Sequence, residues 1–161
     1  VAIDPKTALA RSAATDSIDE RWLGICREEF TMDNLKEYLA PVGRLLMSSL
    51  FIWAGFGKLT NLSATIQGLG GHYHLPLPEV ATGIAIIVEL GGGLLLLVGF
   101  KTRWVAGVLA IWCLITGFAF HLPAGDVPNM INFYKNLVMA GGFLYVIANG
   151  AGSFSIDGKG A

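Results

Sequence analysis

Five side chains of types that do chemistry fall within or at the ends of long apolar stretches: Lys58, Glu89, His121, Lys135 and Asn136. Glu89 is the most informative. It sits in Ile84–Phe100, IAIIVELGGGLLLLVGF, a run that is apolar apart from this one carboxylate and continues through Gly91, Gly92 and Gly93. A bare charge is costly to bury in hydrocarbon, so an acid inside a membrane segment normally faces a partner within a bundle. At ~1.5 Å per residue, Glu89 lies about 14–16 Å into its segment and Lys135 roughly 8–10 Å into its own, both counted from the same side. Lys58 and His121 close their segments on that side. A lysine side chain reaches ~6 Å, so Lys135 is the expected partner of Glu89, with Lys58 next. The cluster has two readings. It is a buried ion pair that fixes helix register, or it is a polar pocket for a small ligand. Two lysines against one carboxylate leave an excess positive charge, which suits an anion or a carbonyl-bearing head group such as that of a quinone entering from the bilayer.

Other residues carry less. His72 and His74 make an H-x-H pair in a glycine-rich loop, read as surface histidines, and no metal site is expected. Cys26 and Cys113 are far apart and form no C-x-x-C, which argues against thiol–disulfide, zinc and iron–sulfur chemistry. There is no Walker loop, nucleophile elbow, H-E-x-x-H or haem signature. Gly91–Gly93 lies inside an apolar helix and is no phosphate loop. Asp126, beside Gly125 and before Pro128, reads as a turn residue.

The elements that must position the cluster follow from composition. Of 161 residues, 53% are hydrophobic and only 14% charged, against about 25% charge in soluble domains. The chain is therefore expected to be an all-α integral membrane protein. The near balance of 11 basic and 12 acidic residues gives no reason to expect a nucleic-acid partner. Four apolar spans are legible, over residues 41–58, 78–100, 103–121 and 130–149, with Pro78 well placed at a helix start. Each carries one small or polar stripe: Arg44, Ser48, Phe51, Gly55 and Lys58 in the first; Thr82, Ala85, Glu89 and Gly92 in the second; Arg103, Gly107, Ala110, Cys113 or Leu114, Gly117 and His121 in the third; Asn132, Lys135 with Asn136, Met139, Gly142, Val146 and Asn149 in the fourth. Stripes of this kind face inward while the fatty faces meet lipid, which predicts an antiparallel four-helix transmembrane bundle over residues 41–150.

Residues 1–40 differ from the rest. Acidic residues outnumber basic ones there, and Ile18, Trp22, Ile25 and Cys26 recur at helical spacing behind a Ser17–Glu20 capping box. The expectation is an N-terminal amphipathic helical arm, either solvated or docked on a partner subunit. No cleavable signal peptide is visible in it. Residues 151–161 form a short tail. Lys36, Arg44, Lys101, Arg103 and Lys159 fall on one side of the spans, which puts both termini in the cytoplasm and the 59–77 and 122–129 loops outside. Trp53, Trp104, Tyr73 and Tyr134 read as interfacial aromatic residues.

At these residues the chain resembles the DoxX family of small four-span bacterial membrane proteins. The matching pieces are WAGFGKL at 53–59, PLPE at 76–79, VELGGGLLLLVGFKTRW at 88–104, NFYKNL at 132–137 and the tail ending at Asp157. The resemblance covers residues 40–157 and leaves the N-terminal arm outside it. It implies a multi-pass protein of the bacterial inner membrane, related to membrane subunits of redox complexes. The matching polar positions are Lys58, Glu89, Lys135 and Asn136. Two roles remain open. One is a subunit that binds a quinone or similar lipid-soluble ligand, with no intrinsic redox cofactor and its electron donor on a partner. The other is a non-catalytic accessory subunit docked through residues 1–40. A small-molecule or anion carrier is a third reading, disfavoured by the absence of an inverted repeat.

Overall fold

A computed structural model describes residues 35, 37–123 and 126–160, with backbone alone for 159 and 160. Residues 1–38 and 39–161 form separate compact units. The amphipathic arm expected over 1–40 lies outside the described residues except at its end.

Among the described residues, four helices are long and apolar enough to cross a membrane: α1 (Glu37–Thr60), α3 (Pro78–Val98), α4 (Thr102–His121) and α5 (Val127–Asn149). They are the expected spans, shifted at their ends by a few residues. The connection after α1 differs from the loop expected there. It is mostly helical: α2 (Leu62–Gln67) runs on into a π-helical turn at Gly68–His72. Two more π-helical turns interrupt the spans, at Ile87–Gly91 within α3 and Gly117–His121 at the end of α4. Each π turn accommodates an extra residue and so rotates the part of the helix beyond it. In α3 the buried set runs Thr82, Ala85, Glu89, Gly93 and Leu96, and Gly92 beside it packs against Leu109 of α4.

The core joins Phe51 of α1, Leu96 of α3, Leu109 and Cys113 of α4, and Ala140 and Phe143 of α5. Small residues let the helices close on it. A Cβ on Gly55 would stand 2.6 Å from the backbone nitrogen of Leu90, so α1 and the π turn of α3 meet backbone to backbone at a distance only glycine permits.

The end of the bundle holding Arg44 is sealed. Arg44 is buried in α1, and its guanidinium donates to the carbonyl oxygens of Leu97 (3.3 Å) and Phe154. The second of these belongs to the tail, which does not simply trail away from α5. It folds back along the α3–α4 turn, where Ile156 N–H donates to Val98 O (3.2 Å) and Asp157 N–H to Gly99 O (3.0 Å). The Asp157 carboxylate then accepts from the backbone N–H groups of Lys101 (2.8 Å) and Thr102 (2.7 Å), capping the start of α4 from a distance of 55 residues in sequence. Those hydrogen bonds, the Thr102 N–H first, hold the Asp157 carboxyl below the ordinary range against the opposing effect of desolvation, and the Arg44 cation adds to them.

Candidate functional site

The opposite end, where Lys58 and His121 lie, contains a cavity of about 570 Å³. All four spans and the π-turn connection contribute to it. Most of its wall is apolar, including Phe51, Ile84, Trp112, Ile115, Phe120 and Met139. Its polar groups are few: Lys58, Glu89, Thr116, His121 and Asn136, with the Tyr73 ring at the mouth.

Glu89 organises them. It is 7% exposed and sits on the π turn of α3. Lys58 Nζ donates to Glu89 Oε2 at 2.6 Å, and Trp112 Nε1–H donates to Oε1 at 3.1 Å. The carboxylate therefore has one charged and one neutral partner, from α1 and α4. The Lys58 side chain is 30% exposed against 10% for that of Glu89, so the lysine bridges the ion pair and the open part of the cavity. Further along, Thr116 Oγ1 donates to Trp112 O (2.9 Å) and lies 3.4 Å from Asn136 Oδ1. Asn136 Nδ2 donates to Asn132 O (3.0 Å). One ring nitrogen of His121 is engaged with Asn129 Oδ1 (3.1 Å), which leaves the other ring nitrogen uncommitted among the described residues.

Four of the five sequence-derived residues thus line one cavity. Lys135 does not, and the expectation that it pairs with Glu89 is corrected. It is exposed and makes no hydrogen bond or ion pair among the described residues. The inward face of α5 runs through Asn136, Met139, Ala140 and Phe143. One residue turns a helix by ~100°, enough to carry Lys135 off that face. Lys58 takes its place, at the level where the π turn presents Glu89.

Tyr73, Trp112 and Thr116 are polar cavity residues that the sequence reading did not place there. Tyr73, read from the sequence as an interfacial aromatic, lines the cavity and packs edge-on against Phe120 (centroids 4.8 Å) and His72 (4.7 Å). Trp112 carried a usable signal. It lies near the middle of its span rather than at an end, and an indole N–H at that depth needs an acceptor. Among the described residues, no group of three or more His, Cys, Asp or Glu could hold a metal ion.

The DoxX family model matches residues 39–122, which takes in Lys58, Glu89, Trp112 and His121 on the first three spans. The chain belongs to the DoxX family. This DoxX protein is 39% identical over 126 residues to "Inner membrane protein YqjF" of Escherichia coli (strain K12), an alignment covering 78% of this chain and 95% of that protein. It is 32% identical over 133 residues to "Inner membrane protein YphA" of the same organism, covering 80% and 94%. No solved structure matches it. With its four apolar helices, the DoxX chain is an integral membrane protein.

Proposed function

We propose that this DoxX protein resides in the bacterial inner membrane with both termini cytoplasmic. There it serves as the membrane subunit of a redox assembly that holds a quinone or similar carbonyl-bearing, lipid-soluble molecule in the cavity beside Lys58 and Glu89. The observation that carries this reading is the cavity itself. Its volume of about 570 Å³ falls within the ~300–1,000 Å³ of small-molecule sites, and it has the usual makeup of apolar walls with a few convergent polar groups. Leu50, Ile84 and Ile115 line it and are also exposed on the outer surface of the bundle, so a molecule dissolved in the bilayer has only side chains to displace on its way in.

The donors fit such a head group. Lys58 spends one N–H on Glu89, and Asn136 one on Asn132. Their remaining N–H groups, with the second nitrogen of His121, are available to carbonyl oxygens. Glu89 orients Lys58 and Trp112 and is placed to pass a proton to or from the lysine. A bound quinone would supply the electron-accepting chemistry, with the donor on a partner subunit.

The test is quenching of Trp112 fluorescence by a short-chain quinone, in protein whose other tryptophans (Trp22, Trp53 and Trp104) are phenylalanine. Saturable quenching that Glu89→Gln weakens supports the reading. Quenching that is unsaturable, or saturable and unaffected by Glu89→Gln, refutes it.

A second reading is favoured by the segment that precedes the family match at residue 39. Here the protein is a non-catalytic accessory subunit docked through residues 1–40. Deleting residues 1–32 then releases it from its membrane complex, whereas a truncated protein that still co-purifies with the same partners rules the docking out.

A further inference from the structure

Lys135 poses a physical problem. It is the ninth residue of a 23-residue span, ~12 Å along the axis from the helix start. It is exposed on the outside of the bundle, without a counter-charge among the described residues. The described carboxylates other than Glu89 are Glu37, Glu79, Asp126 and Asp157, all at or beyond span ends. A lysine stem reaches ~6 Å and tilts toward the helix N-terminus, so it covers about half the distance to the span end.

The face around Lys135 is more mixed than the lipid-facing surfaces of its neighbours. The outward faces of α3 and α4 are almost wholly aliphatic or aromatic hydrocarbon: Ile84, Ile87 and Leu94 on one, Val108, Ile111 and Phe118 on the other. The outward face of α5 also carries Ile131, Leu137, Val138 and Leu144, but sets Tyr134, Lys135, Gly141 and Tyr145 among them. Gly141 has nothing within 4 Å of the place a Cβ would take, so a second backbone could approach closely there. The protein's own bundle also covers α5 least. Only 11% of its apolar window is buried, against 22%, 28% and 33% for the other three spans.

We propose that this face of α5 is an interaction surface for a transmembrane helix of a different protein, one that carries an aspartate or glutamate at the level of Lys135. Charge decides against a second copy of this chain. A two-fold contact through α5 would set Lys135 against Lys135, with no free carboxylate at that depth. A partner carboxylate converts an uncompensated intramembrane cation into an ion pair, while Gly141 and Val138 admit the partner backbone on the following turns. The inference is independent of what the cavity holds.

The experiment places a photoreactive benzoylphenylalanine at position 138 in the full-length protein, in its native membrane, with position 87 of α3 as the lipid-facing control. The expected result is an adduct at 138 and not at 87, to a protein whose cross-linked segment is apolar with one Asp or Glu. Lys135→Glu should lower the adduct yield about tenfold or more, and replacing the partner carboxylate with lysine should restore it. Lys135→Met, which adds no charge to be inserted, should also lower the yield and guards against a folding defect in the reversal. Adducts to lipid alone, adducts to a second copy of this chain, or yields unchanged by both substitutions would overturn the proposal.

Discussion

At the Lys58 end of the bundle α-helix gives way to π turns at several points beside the cavity; at the Arg44 end the helices stay regular and close on one another. Three π turns, at Gly68–His72, Ile87–Gly91 and Gly117–His121, all contribute residues to the cavity wall. Toward the other end Leu96, Thr102, Ala106 and Leu109 are fully buried, Arg44 is held by backbone carbonyls, and the tail ties down the α3–α4 turn. The division sets an apolar-walled cavity at one end against a buried guanidinium held by backbone carbonyls at the other. It also separates two uses of charge. Arg44 is committed to fixed backbone groups, whereas Lys58 has donors to spare.

The strongest test of this contrast acts on the sealed end. Gly99 adopts a left-handed conformation (φ 69°), and a Cβ there would collide with the Arg44 guanidinium and with Ser155. Gly99→Ala must therefore both strain the backbone and push Arg44 off its carbonyls. The expected loss is ~3 kcal/mol or more, read as a lowered unfolding midpoint in detergent. An unchanged midpoint would mean that the seal contributes little to stability.

The next test compares the partners of the ion pair. Lys58→Met leaves the carboxylate of Glu89 buried with only Trp112 as partner; Glu89→Leu leaves a lysine that can turn toward the cavity mouth. Removing the lysine should then cost about 2–3 kcal/mol and removing the acid distinctly less, with the double substitution recovering part of the loss. Equal losses from the two single substitutions would show that Lys58 is as firmly fixed as Glu89, and the picture of an adaptable cavity end would fail.

How much of this was legible in the sequence divides along the same line. The spans were readable because hydropathy and length suffice for them. On α1 the inward stripe from Arg44 through Ser48, Phe51 and Gly55 to Lys58 is the observed one, because no π turn interrupts that helix among the described residues. On α3 Thr82, Ala85 and Glu89 are buried as the stripe has them, and Gly92 and Gly93 both meet neighbouring spans, at Leu109 of α4 and Ile52 of α1. On α4 the stripe is the observed one from Ala110 through Gly117 to His121, but in the first turns Thr102 and Ala106 are buried where Arg103 and Gly107 are expected. On α5 the stripe left Lys135 and Asn136 as alternatives, and depth alone favoured the wrong one. Depth comes from counting residues, but azimuth depends on how neighbouring helices dock. The folding back of the tail onto Lys101 and Thr102 depends on contacts 55 or more residues apart and left no local mark.

A smaller effect is expected from the cap. Asp157→Asn keeps the shape but weakens both backbone hydrogen bonds at the start of α4, for about 1 kcal/mol. Its pH dependence has a defined sign. The folded-state pKa of Asp157 lies below the ordinary value, so its stabilisation is present above the unfolded pKa of ~3.9 and is lost as pH falls through the folded value. The wild-type protein should lose stability relative to Asp157→Asn on acidification below about pH 4. A gap between the two that stays constant to lower pH would show that the carboxylate charge is not what holds the turn.

The smallest expected effect falls on Lys135 and sets the two lysines of the cavity end against each other. Both are lysines on spans, and the same substitution to methionine removes the same charge. Lys58 holds a buried carboxylate, so its loss is felt in the isolated protein. Lys135 is exposed and unpaired among the described residues, so Lys135→Met should change the unfolding midpoint of the purified protein by no more than ~0.5 kcal/mol in free-energy terms. A large loss in purified protein would mean that Lys135 serves the bundle itself. A small loss there, together with a weakened contact at position 138 in native membranes, would assign the second lysine to the surface between this chain and its neighbour.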